Sequence, residues 1–213
     1  MISVILLMAG NGSRMNSSEN KVYLPLKDKL IYQHSLDLFL SKGFEVVCVI
    51  RPKDEVHLTK YLPKIKIAYG GKTRQMSVYN GLKKVKGDHV LIHDAARPFI
   101  TAECIDSCVN TMQKNYFVLV GCETKDSIYE KNPIRSLKRS ELINAQTPQG
   151  GKTKVLLECH KKAINENLEV TDDISLVIKY SNEVIKIIDG SDHNFKITTQ
   201  LDYILAKELV KNG

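Results

Sequence analysis

The chain has no tryptophan and only 7% aromatic residues, so it has little of the stacking surface with which single-stranded nucleic acid is gripped. Nor does it show a recognition-helix motif or an RNP-like strand pair, which makes a basic nucleic-acid-binding domain the weakest of the function classes considered. Its five cysteines form an odd set with no Cys-x-x-Cys pair, so neither a disulfide framework nor a zinc ribbon is supported. The longest uninterrupted apolar run is Val4 to Ala9, far below the roughly 20 residues of a membrane span. The chain opens directly on Ile2-Ser3-Val4-Ile5 without a cationic leader, and a reducing, cytoplasmic setting is expected. No persuasive acid/base pair is present, and the six histidines are scattered. What the chain does have is 213 residues, 43% of them apolar, enough for one well-buried domain. Lysine and arginine exceed aspartate and glutamate by 31 − 24 = +7, which implies anionic partners and leaves nucleic acid, membrane surface and phosphorylated small molecules open.

Short Val- and Ile-rich stretches at 2–8, 44–50, 64–68, 90–92 and 117–121 alternate with amphipathic segments at 31–42, 73–86 and 101–115. That rhythm predicts an α/β fold with a mostly parallel sheet covered on both faces. The segment 123–142 is polar, contains Pro133 and offers only two weak alternating patches, around Ile128 and Ile134–Leu137. It reads as a protruding two-stranded arm on a single domain spanning 1–213. Helices are predicted near 153–165 and 172–181, strands at 184–188 and 195–198, and a closing helix at 200–211.

The first strand runs into Gly10-Asn11-Gly12-Ser13-Arg14-Met15, where backbone amides can approach phosphate closely. A dinucleotide fingerprint would need a third glycine at Met15 and an acid after the second strand, and a Walker A loop would need Gly-Lys-Ser/Thr; none is there. This loop brings its own cations, Arg14 and Lys21. A second glycine-led loop, Gly70-Gly71-Lys72-Thr73-Arg74-Gln75-Met76-Ser77, follows the third strand and opens a helix. The fourth strand ends in His93-Asp94-Ala95-Ala96-Arg97-Pro98, the edge at which open α/β sheets bind ligands. Each piece has a purely structural alternative: a solvated basic turn at Arg14, a loop-closing Asp94–Arg97 salt bridge, a helix cap at Thr171-Asp172-Asp173, and an edge lysine at Lys196.

Taken in order, the loop 9–15 with Lys21, Gly70-Gly71 through Ser77, HDAARP at 93–98, TPQ at 147–149, Thr171-Asp172 and Phe195-Lys196-Ile197-Thr198 resemble the 2-C-methyl-D-erythritol 4-phosphate cytidylyltransferase family, over nearly the whole chain. The ribitol-5-phosphate cytidylyltransferase branch shares most of them. The resemblance implies a Rossmann-like nucleotidyltransferase that joins CMP from CTP to a polyol phosphate and releases pyrophosphate. Mg²⁺ or another divalent cation would be held mainly by the CTP phosphates. By match, Arg14, Lys21 and Lys196 would be catalytic, the first two holding the triphosphate. Met8, Ala9, Gly10, Gly12, Gly71 and Ser77 would bind the nucleotide. Asp94, Arg97, Ser127, Arg139 and Thr171 would bind the acceptor, with Arg139 reaching from the arm into the partner subunit's site of a homodimer. Ala95-Ala96 and Lys125-Asp126-Ser127 match the methylerythritol branch better than the ribitol branch, which tends to carry Val before the arginine and Leu before the aspartate.

The chain also departs from the family pattern. The usual Pro-Lys-Gln reads Asn20-Lys21-Val22, Lys72 stands where an acid commonly follows the glycines, Met8 replaces a small residue, and Gly150-Gly151 replace bulkier ones. The chemistry agrees with the residue types. An acceptor phosphate, with a second pKa near 6, is already largely an anionic nucleophile at neutral pH, so the reaction needs positive charge around phosphorus rather than a general base.

Overall fold

A computed structural model describes residues 1–10 and 20–211. Seven strands form one sheet in the order β11-β7-β10-β6-β1-β4-β5: β1 (Ile2–Leu7), β4 (Glu45–Ile50), β5 (Ile65–Tyr69), β6 (His89–Asp94), β7 (Phe117–Glu123), β10 (Ile143–Lys152) and β11 (Ile185–Asp189). All neighbours pair in parallel except β10, which runs antiparallel to both β6 and β7. The remaining strands form two small hairpins, β2 (Pro25–Leu26) with β3 (Lys29–Leu30) and β8 (Tyr129–Glu130) with β9 (Arg135–Ser136).

Strand β1 shows how the sequence builds the layers. Its period of two sends Val4, Leu6 and Met8 to one face, where they join Tyr32, Phe39, Ile105 and Met112 of helices α1 (Ile31–Ser41) and α3 (Ala102–Gln113). Ile5 points to the other face with Val78, Leu82, Leu156 and Val177 of α2 (Arg74–Leu82), α4 (Thr153–Asn165) and α5 (Ile174–Tyr180). Strands buried on both faces need continuous apolar runs, which is why the central ones were readable. The closing helix α6 (Gln200–Lys211) packs with Leu26, Ile31 and Ile197 in a smaller cluster.

Besides the β2–β3 hairpin and a few short 3₁₀ turns, three elements differ from the sequence expectation. Strand β10 was not anticipated, because its buried residues include Gln146, Thr147, Pro148, Gln149, Gly150 and Gly151, and a polar run with proline and glycine carries no strand signature. Its glycines are required by packing: a Cβ on Gly151 would enter the Phe117 ring. Residues 52–64 form a 3₁₀ helix where no element was assigned. Residues 195–198 are extended but belong to no sheet; Ile197 N–H instead donates to the Ala96 carbonyl at 2.8 Å, which fastens this segment beside the end of β6. The arm does form the expected ribbon, two residues per strand, with Tyr129 opposite Ser136 and Glu130 opposite Arg135.

Candidate active site

The carboxyl ends of β1 and β6 lie side by side, with Leu7 paired to Asp94 and Ala95 N–H donating to the Leu7 carbonyl at 3.1 Å. The loop after β5 joins them, as Gly70 N–H donates to the Ile50 carbonyl at 2.9 Å. Gly70 lies so close to Ala9 that any side chain at 70 would overlap it. Between these strand ends sits a cavity of about 310 Å³, at the small end of the range for ligand pockets. Its walls come from residues 7–10, 20–22, 71–74 and Ser77, Asp94, Ala96 and Lys196.

Charge in this cavity is strongly one-sided. Among the described residues, four cationic side chains line it, Lys21, Lys72, Arg74 and Lys196, against one carboxylate, Asp94. Asp94 is buried and fully engaged: Lys196 Nζ donates to Oδ2 at 2.8 Å, Arg74 Nε to Oδ1 at 3.4 Å, and Arg97 Nε lies 3.9 Å from Oδ2. Burial alone would raise the Asp94 carboxyl, but Arg74, Lys196 and Arg97 outweigh it and hold it well below the usual carboxylate range. Arg74 also donates through Nη2 to Oδ2 of Asp173 at 2.8 Å. Burial works against the Arg74 charge, and the carboxylates of Asp173 and Asp94 more than compensate.

The backbone around Asp94 is braced from β10. Asp94 N–H donates to Thr147 Oγ1 at 3.1 Å, and the same oxygen lies 3.1 Å from His93 Nδ1; because the Arg97 carbonyl facing Nε2 can only accept, the neutral ring keeps its proton there and the Thr147 hydroxyl donates to Nδ1. Nε2 donates to that carbonyl at 3.1 Å. Burial pushes the His93 imidazole down to about 4. With both nitrogens committed, His93 braces the turn and does not exchange protons with a substrate.

The loop after β5 and the residue before Lys21 are fixed in the same manner. Ser77 Oγ accepts from Gly71 N–H at 3.1 Å and donates to the Thr73 carbonyl at 2.9 Å. Thr73 Oγ1 caps α2 by accepting from Met76 N–H at 3.1 Å. Asn20 donates through Nδ2 to the Met8 carbonyl, and its Oδ1 accepts from Val22 N–H at 3.3 Å. It thereby ties Lys21 to the end of β1.

Of the residues singled out from the sequence, Met8, Ala9, Gly10, Lys21, Gly71, Ser77, Asp94 and Lys196 line this cavity. Gly12 and Arg14 lie outside the described residues. Arg97 stands behind Asp94 rather than in the lining, donating through Nη1 to the Asn194 carbonyl at 2.7 Å. Thr171 is exposed and off the lining, and the cap of α5 is made by Asp172, whose Oδ1 accepts from Ser175 N–H at 2.8 Å. Ser127 and Arg139 are exposed on the arm, and Arg139 donates to the Lys125 carbonyl at 3.1 Å beside a separate surface groove with Cys122 and Asp192. The site map drawn from sequence omitted Arg74, Asp173 and Gln149. Arg74 lay in the quoted loop, but an arginine in a helix's first turn carries no signal of which carboxylates it will meet. Asp173 read as one more first-turn acid.

A family model described as 2-C-methyl-D-erythritol 4-phosphate cytidylyltransferase matches residues 2–212. The chain belongs to that family. A 2-C-methyl-D-erythritol 4-phosphate cytidylyltransferase of Clostridium botulinum, strain Loch Maree, is 38% identical over 98% of this chain and 97% of its own. One from Clostridium novyi is 38% identical over 98% and 96%. The crystal structure of 4-diphosphocytidyl-2C-methyl-D-erythritolsynthase from Anaerococcus prevotii superposes with a TM-score of 0.87 at 30% identity, covering 99% of this chain and 98% of that one. That of the cytidylyltransferase from Thermus thermophilus gives 0.82 at 27%, covering 98% of each. Against the family pattern, the Asn20 departure is accounted for locally: the side chain's two hydrogen bonds supply the rigidity that a proline would have given before Lys21.

Proposed function

We infer that the chain transfers CMP from CTP to 2-C-methyl-D-erythritol 4-phosphate with release of pyrophosphate, a step in isoprenoid precursor synthesis by the non-mevalonate route. The observation that carries this reading is a cavity at the carboxyl edge of the sheet lined by four cationic side chains and a single carboxylate, which is itself paired with two of them, in a chain of this family. An oxygen of the acceptor phosphate attacks the α-phosphorus of CTP, a new P–O bond forms, and the bond to the β-phosphate oxygen breaks as pyrophosphate leaves. The nucleophile is already an anion, so the chain's task is to bring two polyanions together and to hold the charge that develops. In this reading Lys21, with Arg14, takes the triphosphate, and Lys196 meets the acceptor at the reacting phosphorus. Met8, Ala9, Gly10, Gly12, Gly71 and Ser77 receive the nucleoside. Asp94 sets the direction of Lys196, Arg97 supports Asp94 from behind, and Thr171 meets the acceptor only outside the cavity lining.

The site is further proposed to be shared, with Arg139 and Ser127 of the arm serving the neighbouring subunit in a homodimer. The arm's exposure supports this: Ile134 is 83% exposed and Tyr129 60%, more apolar surface than so small a ribbon can carry alone. A divalent cation accompanies CTP on its phosphates. Among the described residues no three His, Cys, Asp or Glu converge as a metal cage, and both Asp94 oxygens already face cations, which fits a cation carried in on the nucleotide phosphates. No described helix is long and apolar enough to cross a membrane. The five cysteines are free and fit a cytoplasmic placement.

Pyrophosphate release by the purified protein, with CTP and each acceptor in turn, tests the activity. Turnover with methylerythritol phosphate at a kcat/KM well above that with ribitol 5-phosphate is the expected result. The reverse order would assign the chain to the ribitol reaction, and no release with either would remove the activity.

A further inference from the structure

Behind the cavity, charges alternate from the wall inward as far as Asp173, which packs beside a buried histidine. Lys196 meets Asp94, Asp94 meets Arg74, Arg74 meets Asp173, and Asp173 Oδ1 lies 3.2 Å from His160 Nε2, off the hydrogen-bonding direction. Only the first three of these residues, Lys196, Asp94 and Arg74, line the cavity. Asp173 is 1% exposed and out of reach of any substrate. Its backbone is pinned independently, since Gln149 Oε1 accepts from both Asp173 N–H at 2.9 Å and Ile174 N–H at 3.1 Å. Burial would raise the Asp173 carboxyl, yet Arg74 and then His160 hold it below the ordinary range.

A guanidinium spanning two carboxylates on different elements has its plane fixed by geometry, not only by charge. Arg74 is held by α5 through Asp173 and by β6 through Asp94. Among the described residues its Nη1 makes no hydrogen bond and stays available for a phosphate oxygen. We propose that Asp173 is a positioning residue for the transfer reaction: by gripping Arg74 from behind it orients that guanidinium in the cavity wall and, through Arg74, fixes Asp94 and Lys196 for the acceptor. Asp173 never touches the substrate, and its effect passes through Arg74. This inference rests on the transferase reading above.

A double-mutant cycle tests it, with kcat/KM for the polyol phosphate as readout. Asp173→Asn keeps size and one oxygen while removing the charge. It should lower kcat/KM on the order of ten- to a hundredfold, the scale of an ångström-level misplacement, in a protein whose circular dichroism matches the wild type. In an Arg74→Gln background the same substitution should change kcat/KM less than about twofold, because its route of action has gone. Equal losses in both backgrounds would show a general structural role and overturn the proposal, as would wild-type kcat/KM for Asp173→Asn alone. Should Asp173→Asn not fold, Arg74→Lys decides: lysine keeps the charge but cannot span two carboxylates, so it should lose nearly as much as Arg74→Gln, and wild-type activity there would overturn the proposal. An inactive wild-type protein would instead defeat the transferase reading, and that outcome is distinct from an active enzyme with the wrong variant pattern.

Discussion

The cavity wall and the arm both carry many charges, yet they are built in opposite ways. Around Asp94 every charged group is buried or half-buried and meets partners from several elements: Lys196 from the extended segment, Arg74 from α2, and Arg97 from the turn after β6. On the arm the pairs are wet and, apart from Lys125 with Asp192, local. Arg135 meets Glu130 at 2.8 Å and Lys138 meets Glu141 at 2.7 Å, all largely exposed. Exposed pairs of that kind contribute roughly 0–1 kcal/mol each, whereas a buried network fixes directions and is damaged by the loss of any member. The difference teaches that the described cavity wall is braced by buried contacts from several elements of its own chain, whereas the arm satisfies its charges in water and leaves Ile134 and Tyr129 exposed.

The widest separation between the two regions is expected in turnover. Lys21→Ala should lower kcat by on the order of a hundredfold or more, since one preorganised charge at a developing oxyanion is worth roughly 3–4 kcal/mol, and Arg14→Ala should do the same. Thermal unfolding should hardly move, and if either variant keeps most of its turnover, the triphosphate assignment is wrong. Arg139→Ala should be as inactive as these, despite its distance in the chain from every cavity residue. Should it turn over normally, Arg139 is only a solvated arm residue.

Next in size is a pH effect confined to the cavity side. The His93 imidazole sits at about 4 in the folded protein against an ordinary value of 6.5, so between those values the unfolded chain binds the extra proton. Stability from this group is therefore complete above pH 6.5 and is lost as the pH falls towards 4, by on the order of 3 kcal/mol. Denaturant melts between pH 7 and 4.5 should show the decline, and His93→Gln should flatten it. An unchanged slope in that variant would place the titration elsewhere. On the arm, Glu130→Ala should cost less than about 1 kcal/mol, and a larger loss would mean that the ribbon is structured more tightly than its exposure implies. The smallest effect is expected at Lys72, exposed on the cavity rim. If cytosine is selected by backbone groups around residues 8–10 and 70–71 with Ser77, Lys72→Ala should leave the preference for CTP over UTP intact, and its loss would make Lys72 a reader of the base.

The same contrast explains what could be read from sequence. Strands β1, β4 and β6 are apolar on both sides, and two glycine-led loops and HDAARP follow strand ends, so the fold class and one edge of the sheet were legible. Strand β10 was not, because its inward residues serve hydrogen bonds and close packing rather than hydrophobic burial: Thr147 holds Asp94 and His93, Gln149 holds the start of α5, and Gly151 makes room for Phe117. Local pattern cannot report a contact between residues 74 and 173, and so the brace behind the cavity appeared only in three dimensions.

If the cavity of one subunit and the arm of the other form one shared site, two inactive variants should repair each other. Lys21→Ala and Arg139→Ala chains, each nearly inactive alone, would be unfolded and refolded together, with subunit exchange verified by mass. About half the dimers should be mixed and each should hold one site with both residues intact, so roughly a quarter of wild-type pyrophosphate release should return. Verified exchange with no recovery would show that Arg139 serves its own chain's site and would contradict the shared-site account.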